Sequence, residues 1–458
     1  MKRMLTAFVA AGCIAGAISQ ASFAGAATDV ANTDDNVTRV VTAGSDTTYF
    51  VLNKLAAAYN ESLGCALNNV AIERLNTTLV PTTLPTAPLT HNQCVGATNP
   101  ETNASAAQAS VLKTENYDHD TVINFFPQGS SAGLRQLCAQ LNVTDPLRSR
   151  GLAYIDVARS SSAPGVAFQC RGTNNAPFSV IGTRILRFVA FAKDALTWTK
   201  WNNAGGGGAP VSNLTVAQLN DILVDCTITT WDQVGGANTN PIIVYTAITA
   251  SGSRASWDAF VGGNTSTCIP GIYKDGNQAN GERVIREHQQ QPVEVALNDP
   301  DPFAANEGNA LFFSSVGIWT VDAVARQNSV LGNVDGLAPN ETNIVAGTFP
   351  FARSLYNVYI NSGPSPVASE ATRRFTAMRS GGTADTRGWI CKPENSHSKP
   401  LDDVVNAGVP AAAADQAYGK LVDTTLRSAG FYPLTNDPTL DRCTFADYRI
   451  DETAQTPI

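Results

Sequence analysis

Four short stretches of this chain join glycine or arginine to small hydroxyl side chains, and three of them contain glycine. They are Gly44-Ser45-Asp46-Thr47-Thr48, Pro127-Gln128-Gly129-Ser130-Ser131-Ala132-Gly133, Arg159-Ser160-Ser161-Ser162 and Ser251-Gly252-Ser253-Arg254. Their shared chemistry is the holding of a small anion. A loop that opens a helix presents free backbone N–H groups at the positive end of the helix dipole. Serine and threonine hydroxyls add donors that need no counter-charge, glycine allows close backbone approach, and arginine offers a fixed charge with a two-pronged fork. Taken singly, each loop reads equally well as a helix cap. Their recurrence along one chain favours the anion seat.

One loop also fits a different chemistry. Gly129-Ser130-Ser131-Ala132-Gly133 matches the Gly-x-Ser-x-Gly elbow, which would make Ser131 the nucleophile of a secreted esterase or phosphatase. Its base would come from His91, His119, His288 or His397. No histidine sits in a spaced metal motif, and His119 between Asp118 and Asp120 reads as an exposed polar turn. Five small residues make a loose pattern that the anion seat already accounts for. The first reading is therefore no enzyme, no catalytic residue, no metal and no cofactor.

The elements that must carry these loops alternate between strand and helix. Thr38 to Ala43 has strand character, and Tyr49 to Tyr59 has helical spacing. Residues from about Ala66 to Tyr117 read as a long loop with some strand, such as Val70 to Glu73. Thr121 to Phe126 is a strand, and Leu134, Leu137, Cys138 and Leu141 recur at helical spacing. Tyr154 to Ala158 forms a short strand, Ile185 to Leu196 a buried one, and Gly205 to Gly208 a loop tip. Leu214 to Leu223 is an amphipathic helix. Pro241 to Tyr245 is a strand leading to the Ser251 loop, and Trp257 to Val261 continues that loop as a helix. Glu307 to Ala310 turns into the apolar run Leu311 to Trp319. Phe351 to Tyr359 is a late strand, and a final helix over Lys420 to Ala429 stops at Gly430. This alternation predicts an α/β protein with largely parallel sheet.

Composition narrows the partners. The chain has 458 residues, 43% hydrophobic and 15% charged, enough for two domains or one bilobal unit. A formal net charge of −8 excludes nucleic acid as the main partner, because the phosphate backbone calls for a basic face. Lys2 and Arg3, the apolar stretch Leu5 to Ile18 and the small residues Ala21 to Ala27 form a secretory signal, residues 1–26, with cleavage after Ala24 or Ala26. The apolar run ahead of Cys13 is too short for a good lipid-anchor site. A secreted or periplasmic protein with its signal removed is expected.

Removing Cys13 leaves Cys65, Cys94, Cys138, Cys170, Cys226, Cys268, Cys391 and Cys443, an even set without Cys-x-x-Cys spacing. Disulfides in an oxidising compartment follow, rather than zinc. Connectivity is open; pairing of neighbours along the chain is the simplest choice.

In their order, the four loops, the run Val189 to Ala192, the stretch Leu214 to Trp231 and the segment Gly430 to Leu434 resemble the phosphate-binding substrate-binding proteins of ABC transporters. The resemblance implies the two-lobed type II periplasmic-binding-protein fold, with a ligand cleft between the lobes and crossing strands near Arg187 to Ala192 and Phe349 to Tyr359. Lobe one would comprise residues 38–186 and 350–458, and lobe two residues 187–349. It implies capture of an inorganic oxyanion, phosphate first, by a monomer that serves an ABC permease. The contacts carried across are Ser45, Asp46, Thr47 and Thr48 in the first loop, Gly129, Ser130 and Ser131 in the second, and Ser251, Gly252 and Ser253 in the fourth. The family's aspartate has no counterpart in Arg159-Ser160-Ser161-Ser162, nor does its arginine between Tyr245 and Ala250. Arg159 and Arg254 would then supply the charge, one from each lobe, with Asp46 as acceptor. A surface or matrix protein that keeps the fold without transport is the remaining alternative.

Overall fold

The computed structural model describes residues 37–45, 47–49, 51–52, 54–55, 111–116, 129–139, 155–164, 183–201, 206–249, 251–274, 283–285, 307–321, 329–363, 372, 375–376, 388–391, 422–435, 442–450 and 455–457. Its strands begin with β1 (Val37–Gly44), β2 (Val111–Asn116), β3 (Val157–Ser160) and β4 (Arg184–Trp201). The middle of the chain adds β5 (Asn213–Leu214), β6 (Ile243–Val244), β7 (Thr246–Ala247), β8 (Val284–Ile285) and β9 (Ala310–Ser315). Then come β10 (Ser329–Leu331), β11 (Asn333–Val334), β12 (Ala352–Ser362), β13 (Thr444–Ile450) and β14 (Gln455–Pro457). The helices are α1 (Ser130–Ala139), α2 (Val216–Leu223), α3 (Gly252–Val261), α4 (Val316–Val321) and α5 (Glu341–Ala346).

One sheet organises the molecule, in the order β14-β13-β4-β12-β3-β1-β2, and β4 is its spine. The first half of β4 pairs with β12 and β13, and its second half turns to β9 and β10. This strand is 18 residues long and buried almost throughout, although it carries Arg184, Arg187, Lys193, Asp194 and Lys200. β1 runs parallel to β2 and β3, whereas β12 runs antiparallel to β3 and β4.

Two hydrophobic cores draw on the two ends of this spine, one on Leu186 and Phe188 and the other on Ala195, Leu196, Trp198 and Trp201. One gathers Ala43, Leu134, Leu137, Ile155 and Ala158 with Phe188, Val358 and Tyr448. The other gathers Leu196, Trp198, Trp231, Trp257, Phe313 and Phe351. In the second, Trp257 stacks on Phe313 at 5.3 Å and meets Phe351 edge-on, which fixes how α3 sits. Such pairs add about 0.5–1.5 kcal/mol each beyond their buried area.

Several expectations need adjustment. β2 falls in a stretch expected to be mostly loop; it is a polar strand paired to β1, so its apolar signal is weak. Leu214 ends a short strand, and the helix starts only at Val216, because Thr215 and Gln218 form a capping box. Gly206 to Gly208 are buried rather than forming an exposed loop tip. They lie against Trp231 and Gly308, and the Lys200 ammonium donates to the Gly208 carbonyl at 2.7 Å and to that of Ala209. The backbone there supplies the contact surface, so glycine serves close approach and not mobility. The run after Glu307 divides into strand β9 and helix α4.

Two disulfides join neighbouring cysteines, Cys226 with Cys268 and Cys391 with Cys443. Cys138 is also disulfide-bonded. Cys65, Cys94 and Cys170, the signal residues 1–26, the strands expected at Val70 to Glu73 and Thr121 to Phe126, and all four histidines lie outside the described residues.

Candidate functional site

The four loops meet. β1 ends at Gly44, α1 begins at Ser130, β3 ends at Ser160, and α3 begins at Gly252, so each loop is the exit of a strand or the entrance of a helix. At their junction the Thr47 hydroxyl lies 3.0 Å from that of Ser253, Ser161 lies 3.3 Å from Ser130, and Ser161 lies 3.4 Å from Ser253. All four side chains are buried to 0% exposure. The Ser161 N–H donates to the Ser130 hydroxyl at 2.9 Å, so backbone as well as side chain enters the cluster.

Local chain chemistry explains the convergence. Ser251 caps α3 by accepting from the Arg254 N–H at 3.0 Å, which leaves Gly252 and Ser253 in the first turn, where N–H groups lack intrahelical acceptors. Gly252 has to be glycine: a Cβ there would stand 2.0 Å from the Ser130 hydroxyl oxygen and 2.5 Å from its Cβ. Gly44, at φ +123°, lets the first loop pass so close to Arg159 that the Ser45 N–H bonds the Arg159 carbonyl at 3.0 Å. The first turns of α1 and α3 contain no acidic residue.

The remaining sequence-predicted contacts separate into groups. Ser45 is buried next to the cluster, and its hydroxyl has no hydrogen-bond partner. The Thr48 hydroxyl closes its own turn on the Ser45 carbonyl, and Gly129 bonds the Gly44 carbonyl through its N–H. Ser160 donates to the Ser162 carbonyl within its turn. Ser131 is exposed on the first turn of α1, away from the buried hydroxyls. Asp46 lies outside the described residues.

Both arginines expected to bring charge are committed elsewhere. Arg159 is buried, its Nε donates to the Ser45 carbonyl at 3.1 Å, and Nη1 reaches the Thr42 hydroxyl at 3.0 Å, with Tyr49 5.3 Å beneath the guanidinium. It braces the first loop from behind. Arg254 points along α3 into a separate network: Nη1 to the Ala247 carbonyl at 2.7 Å, Nη2 to Asn264 and Ser266, and Nε to Asp258 at 3.4 Å. The reason is steric and local, because consecutive residues on α3 point about 100° apart around its axis, so Arg254 leaves the face that Ser253 presents, and Asp258 follows at i+4.

Sequence reasoning missed the residues beneath the cluster. Arg353 on β12 stands opposite Asp194 on β4, and its Nε and Nη2 both donate to Asp194 Oδ2, at 3.0 and 2.8 Å. Its Nη1 donates to the Ser161 carbonyl at 3.0 Å, and the Ser256 hydroxyl bonds the same carbonyl from α3 at 3.2 Å. Asp194 also accepts from the Ser315 hydroxyl and from the Gly317 N–H at the start of α4. A signal was present: opposite charges inside two apolar strand runs, where a buried charge must be paired. Among the described residues, no group of three or more His, Cys, Asp or Glu is placed to hold a metal, and no helix is long and apolar enough to cross a membrane.

Comparison with known proteins follows from this geometry. A search of curated proteins returns no match. Among solved structures the chain is similar to an ABC-type phosphate transport receptor from Vibrio cholerae, at 19% identity over 71% of this chain and 88% of that one, with a TM-score of 0.38. It is similar to a phosphate-binding protein from Stenotrophomonas maltophilia, at 12% identity over 88% and 92% of the two chains, TM-score 0.39. A third is a DING protein, at 10% identity over 87% and 92%, TM-score 0.40. The family model described as PBP superfamily domain matches residues 85–377, more than half of the 458 residues, and the chain belongs to that superfamily.

Proposed function

We propose that this protein is a secreted solute-binding protein that captures an inorganic oxyanion, phosphate first, between two lobes and delivers it to an ABC-type permease. The observation that carries this reading is the chain of four buried hydroxyls from four loops, Thr47–Ser253–Ser161–Ser130, each 3.0–3.4 Å from the next. Two of these contacts, at 3.3 and 3.4 Å, are long for O–H···O bonds, which centre near 2.7–2.8 Å. Bonds to an oxyanion run at about 2.5–2.7 Å and are roughly twice as strong as neutral ones, so an anion is a better partner for these hydroxyls than they are for one another.

In this reading, residues 38–186 with 350–458 form one lobe and 187–349 the other, with β4 and β12 crossing between them. Thr47, Ser130 and Ser161 face Ser253 across the cleft, and ligand entry parts the two sides by hinge motion. Phosphate stands first because the order of the loops resembles phosphate-binding members of the family.

Calorimetric titration with phosphate and with sulfate tests the reading. Heat of binding is expected, with a change in tryptophan fluorescence from Trp231 and Trp257 in the second core. A folded protein that gives neither signal with either anion refutes it.

A further inference from the structure

We propose that Arg353 is the positioning residue of the anion site, oriented by Asp194 and acting through Ser161; this rests on the oxyanion reading above. Asp194 and Arg353 are register partners on the two crossing strands, and the side chain of each is at most 4% exposed. Asp194 binds two prongs of the guanidinium, and its own oxygens are held by Ser315 and by the Gly317 N–H, so the arginine cannot swing. The third prong ends on the Ser161 carbonyl at 3.0 Å.

Ser161 is where this arrangement meets the cluster. With its carbonyl held by Arg353 and Ser256, its N–H points at Ser130, and its hydroxyl lies between those of Ser130 and Ser253. The ion pair is neutral as a whole but directional. Its positive end faces Ser161, and its negative end faces Ser315 and Gly317, an orientation that favours a negative ligand at the hydroxyls. In a buried setting such a fixed dipole is screened far less than on a surface. Arg159 and Arg254, the cations expected from the loops, bond the Ser45 carbonyl and the Ala247 and Asn264 groups, whereas Arg353 bonds the carbonyl of a cluster residue, Ser161.

The test is calorimetric titration of phosphate and sulfate into the wild type, Arg353→Met, Arg353→Lys and the double variant Asp194→Asn/Arg353→Met, with thermal melting as the folding control. Arg353→Met is expected to lose tenfold or more in affinity for each anion the wild type binds. Lysine keeps the charge but cannot span Asp194 and the Ser161 carbonyl together, so it is expected to recover only part of that loss. The double variant contains no unpaired buried charge and is expected to melt closer to the wild type while still binding weakly. A merely structural role predicts the reverse, with affinity returning alongside stability. Wild-type affinity in a folded double variant overturns this inference alone. Full affinity in Arg353→Lys does the same, and decides the matter if the methionine variants do not fold. A wild type that binds neither anion overturns both this inference and the reading beneath it.

Discussion

Two buried polar regions share Ser161, and they are built on opposite principles. The hydroxyl cluster is neutral, comes from loops and helix starts, and is joined by contacts of 3.0–3.4 Å. The Asp194–Arg353 pair is charged, sits in the middle of paired strands, and is joined by bonds of 2.8–3.1 Å, with both carboxylate oxygens occupied. Weak mutual contacts between good donors leave a site that a ligand can take over. Saturated charge-assisted bonds leave one that resists rearrangement. The comparison teaches that burial alone does not mark a binding group; the quality of its existing bonds does.

The contrast can be broken most forcefully at Asp194. Asp194→Ala strands the Arg353 guanidinium without its carboxylate, and chemical denaturation should register a loss of about 3–5 kcal/mol. A loss below about 1 kcal/mol would mean that the pair is not the rigid member of the comparison. Gly252→Ala attacks the other region. The new methyl overlaps Ser130, so the facing loops cannot close as they do now, and an overpacking cost of about 1–3 kcal/mol should appear as weaker oxyanion binding. Unchanged affinity in this variant would show that closure at Gly252 is not part of binding.

Arg254→Ala sharpens the distinction between the arginines. Bonds to the Ala247 carbonyl, Asn264 and Ser266 are lost, and stability should fall by about 2 kcal/mol. Oxyanion affinity should stay within about twofold of wild type, since none of these partners belongs to the cluster; a tenfold drop measured by calorimetry would put its guanidinium back at the ligand. Ser253→Ala removes one neutral donor and should weaken binding by about 1 kcal/mol with little effect on the melting temperature. The smallest effect is expected at the exposed Arg427–Glu341 pair, whose side chains are 40% and 38% exposed. Replacing Arg427 by Ala should cost at most about 1 kcal/mol and leave binding alone.

The local form of the four loops was legible in the sequence because its signals are local. Ser251 reads as a cap, Gly252 as a place of close approach and Ser130 as a helix start from neighbours within a few positions. The pairings Cys226–Cys268 and Cys391–Cys443 also follow chain order. The bonds the arginines make were not legible, for an equally physical reason. An arginine has a long, flexible side chain with five donors, and its position in a loop says little about which acceptors it will find. Arg254 found Asp258 one helical turn on, and Arg159 found carbonyls of the first loop.

The sequence by itself therefore determined the α/β alternation, the four hydroxyl loops and the glycine that lets two of them touch. These depend on hydrophobic period, capping and backbone freedom, all of which act over a few residues. Only the tertiary structure decided that Thr47, Ser130, Ser161 and Ser253 share one point, and that the guanidinium bonded to that cluster comes from residue 353. Strand register between β4 and β12 sets Arg353 against Asp194 across more than 150 positions of chain, and no local preference specifies a partner at that range.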